Sequence, residues 1–140
     1  MADTIKLEVV TPLKLAVATD VDEVPAPSVK GEFGVLPGHR PLLAALEHGR
    51  VKYIEAGTAK LAAVAPGFAE VGPDRVVLLV EHWIPGEEID LDDVRDELAR
   101  AEDKVKELSG QDASADYENA LRDEKWASVK LDVAEQTRAV

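Results

Sequence analysis

Cysteine is absent from the chain, which removes disulfides, thiolate nucleophiles and cysteine-ligated zinc together and agrees with a reducing compartment. Aromatic residues make up only 4% of the 140 residues. The core therefore has to be assembled from Val, Leu, Ile and Ala, and Trp83 and Trp126 lie too far apart in sequence to suggest a sugar-stacking platform. No run approaches the ~18 apolar residues of a membrane helix. The opening Met1-Ala2-Asp3-Thr4 lacks the basic and apolar segments of a signal peptide, so a soluble chain with no membrane insertion is expected. Positive charge is in deficit: the net charge is −12, which opposes nucleic acid and anionic lipid and leaves protein as the expected partner. His39, His48 and His82 show no HxH or HExxH spacing, and no GxSxG, Walker or GxGxxG motif is present, so neither a metal nor a catalytic residue is expected.

What the chain does have is divided unevenly. All 8 prolines lie at or before Pro85, and of the 9 glycines only Gly110 follows Gly86. Residues 1–86 carry 8 basic and 11 acidic side chains, and residues 87–140 carry 8 and 17, a net −3 against −9. The composition predicts two domains, 1–86 and 87–140. In the first, short β-branched and aliphatic runs alternate with turns: Ile5 to Val10, Leu15 to Val24, Val51 to Ile54, Lys60 to Val64, Phe68 to Val71 and Val76 to Val80. Glu55-Ala56-Gly57-Thr58 and Pro73-Asp74 mark tight hairpins. With no helical stretch between the runs, an antiparallel β-sandwich is predicted.

In the second domain Leu91, Val94, Leu98, Ala101, Val105 and Leu108 recur at spacings of three and four and predict an amphipathic helix, started by Asp90 or Asp92 and stopped at Ser109-Gly110. A second helix, begun by Ser114 or Asp116, runs toward Arg138, giving an antiparallel two-helix hairpin. Its apolar residues fall on two opposed faces. Tyr117, Ala120, Leu121, Ala127, Leu131 and Ala134 form one; Trp126, Val129 and Val133 form the other, with Arg122 and Lys125 alongside. A hairpin helix needs only one apolar face, so the second requires cover from the sandwich or from a partner.

The densest signature is Gly31-Glu32-Phe33-Gly34-Val35-Leu36-Pro37-Gly38-His39, followed by Pro41-Leu42. Glycines and prolines at this density forbid a helix and predict a shaped loop between strands. This segment resembles the signature loop of the epsilon subunit family of bacterial F-type ATP synthases, called delta in mitochondria. The opening Leu7-Glu8-Val9-Val10-Thr11-Pro12 and Gly67-Phe68-Ala69-Glu70-Val71 resemble the same family in the same order.

The resemblance implies a sandwich followed by a helical hairpin, and a non-catalytic rotor subunit linking gamma to the ring of c subunits during proton-driven ATP synthesis. It implies that Gly31, Glu32 and Gly34 meet the c ring and that Thr11 and His39 face gamma. It further implies a hairpin that lies folded or extends along gamma to obstruct hydrolysis, meeting alpha and beta, with Arg122, Lys125, Trp126, Val129 and Val133 as the switch face. Lys130 and Arg138 are the other cations of that helix. Leu91-Asp92-Asp93-Val94-Arg95 resembles an ATP-binding motif of some members, with Asp96 where alanine is usual and Arg100 near the expected second arginine. ATP as a regulatory ligand is set against a capping Asp92 and an Arg95 paired with Asp92 or Glu88. No other cofactor is expected. The resemblance implies a place at the cytoplasmic face of the bacterial inner membrane, held through the complex. A reading of another class is a ligand- or carbohydrate-binding sandwich with a helical appendage, which would show a pocket lined by aromatics and a carboxylate pair of perturbed acidity.

Overall fold

Strand β1 (Ile5–Val10) shows how the first part of the chain folds: Ile5, Leu7 and Val9 are fully buried while Lys6 and Glu8 point outward, the period-two pattern of a half-covered strand. The computed structural model describes residues 4–28, 31–36, 38, 40–110 and 115–139, and the side chains of these other than 25–28 and 31–33. The chain separates into two compact units, Met1–Pro85 and Gly86–Val140.

In the first unit β1 is followed by β2 (Leu15–Val21), β3 (Val24–Ser28), β4 (Gly31–Val35), β5 (Leu42–Leu46), β6 (Gly49–Glu55), β7 (Thr58–Val64), β8 (Gly67–Val71), β9 (Arg75–Val80) and β10 (Trp83–Pro85). Seven strands form one sheet in the order β2-β1-β9-β8-β5-β3-β4, and three form the other in the order β10-β7-β6. Ile5, Leu7, Leu46 and Leu78 from the larger sheet meet Val51 and Val64 from the smaller, with Tyr53 and Trp83 packed against the cluster. The β6–β7 hairpin turns through Ala56 and Gly57, both at positive φ (50° and 81°), as a two-residue primed turn requires.

Three local expectations differ. The pairs are antiparallel except β1 with β9, which run parallel, Lys6 opposite Arg75 and Val10 opposite Leu79. Closing the sheet between the first and a late strand allows this without a helical crossover, because the intervening strands make the connection. The run Leu15 to Val24 is not one strand: it breaks after Val21, where Asp22 N donates to Ile54 O and Glu23 bridges Ile54 of the smaller sheet. The glycine- and proline-rich segment is not loop throughout, since Gly31–Val35 form β4 at the sheet edge, paired with β3. Pro25 and Pro27 are tolerated in β3 because it bonds β5 only through Ser28 and Leu46.

In the second unit a short 3-10 turn (Gly86–Glu88) leads into α1 (Leu91–Leu108) and α2 (Ala115–Arg138). Asp90 caps α1, its carboxylate accepting from Asp93 N at 3.0 Å. Ser109 and Gly110, the latter at φ 92°, end it. Val94 and Ala101 are the buried side chains of α1; Ala120, Ala127, Val133 and Ala134 are those of α2. No helix among the described residues is long and apolar enough to cross a membrane.

Candidate protein-contact surfaces

The outward face of the seven-stranded sheet carries apolar side chains in register across four strands. Val10 pairs with Leu79, Leu79 with Phe68, and Phe68 with Ala45, so these four form one row running β1-β9-β8-β5. Leu15 extends the row onto β2 opposite Val10. Phe68 is 54% exposed and Leu79 44%, and Leu13, in the turn that follows Thr11, is 93% exposed. That turn is held by Thr11, whose hydroxyl accepts from the amides of Leu13 and Lys14, each at 3.3 Å.

Together Val10, Thr11, Pro12, Leu46, Phe68 and Leu79 line an open groove of about 590 Å³. Phe68 is its one aromatic and Glu81 its one carboxylate. A sugar site would present several aromatic platforms and a carboxylate pair, whereas this lining suits an apolar polypeptide surface.

None of this row is named as a contact by the sequence reading, which names only the adjoining Thr11, although the signal is present. Arg75-Val76-Val77-Leu78-Leu79-Val80 is apolar at both parities, and in Gly67-Phe68-Ala69-Glu70-Val71 the phenylalanine is out of phase with the buried Ala69 and Val71. A strand of a two-sheet sandwich needs only one apolar face.

The backbone register places the signature residues. Gly31, opposite Ser28, which is opposite Leu46, lies at the same end of the large sheet as Thr11, but several strands away. Gly38 lies at the other end, where its amide donates to Pro73 O at 2.7 Å in the β8–β9 turn. Thr11 and Gly38 are therefore not brought together; His39 is outside the described residues, as is the side chain of Glu32. Gly34 is exposed, and a Cβ built there meets nothing within 4 Å, so this chain's own packing does not demand glycine at that position.

In the hairpin Arg122 and Lys125 are exposed, Trp126 and Val129 half-buried and Val133 wholly buried. Lys130 is committed: its Nζ lies 2.6 Å from one Glu97 carboxylate oxygen and 2.9 Å from the other, and 5.2 Å from the centre of the Trp126 ring. Arg138 is committed as well, donating to Gly86 O and Ile89 O. Of the ATP-motif residues, Leu91 is half-buried, and Asp92, Arg95 and Arg100 are exposed. Arg95 lies 3.7 Å from Asp92, and Asp90 rather than Asp92 caps the helix. Arg95 and Arg100, five residues apart, point about 140° apart around α1. Among the described residues no group of three His, Asp or Glu is placed to hold a metal ion.

Comparison with known proteins agrees along the whole chain. Residues 4–86 match the family model described as ATP synthase, Delta/Epsilon chain, beta-sandwich domain. The chain is 42% identical over 135 residues to the ATP synthase epsilon chain of Geotalea uraniireducens, covering 96% of each. It is 40% identical over 134 residues to ATP synthase epsilon chain 2 of Syntrophotalea carbinolica, again covering 96% of each. Among solved structures, a chain of the Euglena gracilis mitochondrial ATP synthase (OSCP/F1/c-ring) shares the fold with a TM-score of 0.70 at 22% identity, over 97% of this chain and 80% of that one. A chain of the Tetrahymena thermophila central stalk and c-ring does so with a TM-score of 0.59 at 11% identity, over 93% and 96%.

Proposed function

Because the chain belongs to the delta/epsilon chain family of ATP synthases, we propose that its sandwich joins the gamma subunit to the ring of c subunits and that its hairpin restrains ATP hydrolysis. A chain of this family is a stalk subunit, and catalysis lies elsewhere in the complex. The observation that carries the gamma contact is the outward row Val10, Leu79, Phe68 and Ala45 beside Thr11, with Phe68 and Leu79 exposed and the other two half-buried. Apolar side chains in this density on an outer sheet face are stable in water only at a cost that a packed partner removes. Torque then passes through a sheet whose other face is fixed in the core.

The c-ring contact is assigned to Gly31, Glu32 and Gly34. An exposed glycine with open space around its Cα leaves room for another subunit's backbone, and Glu32 supplies a charge to basic or amide groups there. The chain is held at the cytoplasmic face of the cell membrane by these contacts, with proton flow driving rotation. In the extended state Arg122 and Lys125, two exposed cations of α2, meet acidic surface of beta.

Both halves are tested in the assembled enzyme. Phe68→Glu with Leu79→Glu is expected to abolish co-purification of this chain with gamma, and normal co-purification would overturn the gamma contact. Truncation after residue 86 is expected to leave co-purification intact and raise ATP hydrolysis several-fold; unchanged hydrolysis would overturn the inhibitory role.

A further inference from the structure

The end of the hairpin remote from the connection between its helices is closed by a contact that the outer surfaces do not use. Gly86 is buried, and a Cβ built on it would overlap the Thr137 hydroxyl while standing 3.0 Å from Thr137 Cβ and 3.2 Å from Val133 Cγ1. Thr137 cannot turn away cheaply: it is β-branched, and its hydroxyl donates to Val133 O at 2.8 Å.

Beside it the Arg138 guanidinium donates through Nη2 to Ile89 O at 2.6 Å, and through Nη1 to Ala134 O at 3.1 Å and Gly86 O at 3.3 Å. Two carbonyls of the segment entering α1 and one from the last turn of α2 share this cation, which also complements the negative end of the α2 dipole.

Position makes this contact a latch. At 1.5 Å per residue α2 is about 36 Å long, and Arg138 lies about 12 Å farther from the helix connection than Lys130. Helices that part at the end remote from their connection separate there first, so opening the pair from that end breaks the contacts of Gly86 and Arg138 before the Lys130–Glu97 pair. The buried residues of the two helices are mostly alanines and most of their larger apolar side chains are only half-buried, so polar and close-packed contacts carry a greater share of the closure than in the sandwich.

We propose that the Gly86–Thr137–Arg138 contact is the latch that holds the hairpin closed and that its release is the first step in extending it. The consequence for hydrolysis rests on the inhibitory reading of the hairpin above.

Hydrogen exchange on the full chain tests the latch directly. Arg138→Gln and Gly86→Ala are each expected to raise exchange at the amides of Val133 to Arg138 by about tenfold or more, with a smaller change around Trp126. Adding Thr137→Ala to Gly86→Ala removes the hydroxyl that the new methyl would overlap, leaving only the looser approaches to Thr137 Cβ and Val133 Cγ1, and is expected to recover most of the lost protection. Unchanged exchange in both single variants, or no recovery in the double one, overturns the latch. In the assembled enzyme Gly86→Ala is expected to lower ATP hydrolysis and the double variant to restore it. Raised exchange with unchanged hydrolysis upholds the latch and overturns the inhibitory reading instead.

Discussion

The sandwich and the hairpin are held together by different means. Of the largest fully buried side chains, which include Ile5, Leu7, Leu46 and Leu78, Val133 alone belongs to the hairpin. Burying each Leu, Ile or Val contributes roughly 1.5–3 kcal/mol, and an alanine methyl well under half of that. The hairpin instead relies on a capped helix start, a charged pair and the Arg138 contacts, and it carries most of the net negative charge. A unit cored by interlocked aliphatics keeps one shape, because no alternative packing is cheap. A unit closed by small residues and discrete polar contacts can be opened by breaking only a few of them.

The largest effect that bears on this difference is expected in the sandwich core. Leu78→Ala removes side-chain volume from a site with no exposure and is expected to cost about 2–5 kcal/mol in urea unfolding of the full chain. Its counterpart in the hairpin, Ala127→Gly at an equally buried site, is expected to cost about 1 kcal/mol, mostly from helix propensity. Equal costs would break the contrast and would mean that α2 packs as tightly as β9.

A middle-sized effect belongs to Lys130, whose side chain is 13% exposed between Glu97 and the Trp126 ring. Lys130→Met keeps the aliphatic stem and removes the charge. It is expected to lower hairpin stability by about 1 kcal/mol, read as an earlier loss of helical signal in thermal melts, because Glu97 is 41% exposed and water takes over its solvation. An unchanged melt would leave Arg138 as the polar contact that matters.

The elements legible in the sequence are those whose pattern has one cause. Ile5–Val10 reads as a strand because one face is buried, and Leu91–Leu108 reads as a helix because one stripe is apolar and Ser109-Gly110 stops it. The double pattern of α2 was also legible, but not the destination of its residues. Val133 lies against Gly86 within the same unit, and no spacing rule connects residues so distant in sequence.

Strand β4 was hidden for the opposite reason. Glycine and proline argue against regular structure locally, whereas an edge strand needs hydrogen bonds on one side only and accepts both. The apolar row through Phe68 and Leu79 was missed because an apolar strand residue reads as core until the register shows which face it occupies.

The smallest effect expected sets a charged contact of the sandwich beside that of the hairpin. Glu55, at the end of β6, accepts from Lys60 Nζ at 2.7 Å and from the Thr19 hydroxyl on β2, so it ties the smaller sheet to the larger. The hydrogen bond from Lys60, then that from Thr19, holds its carboxyl below the ordinary glutamate value. A carboxyl whose folded value is depressed stabilises the fold fully above its unfolded value, and that contribution drains away as pH falls through the lower folded value. Glu55→Gln is therefore expected to unfold at a slightly lower urea concentration than the parent chain at pH 7, and the two curves are expected to converge in acid once the parent carboxyl is protonated. The gap should be small because the site is open to solvent, which screens the pair. A gap that persists in acid would mean that Glu55 ties the sheets by shape rather than charge. The sandwich would then be held by packing even where it carries ions, which separates it further from the hairpin.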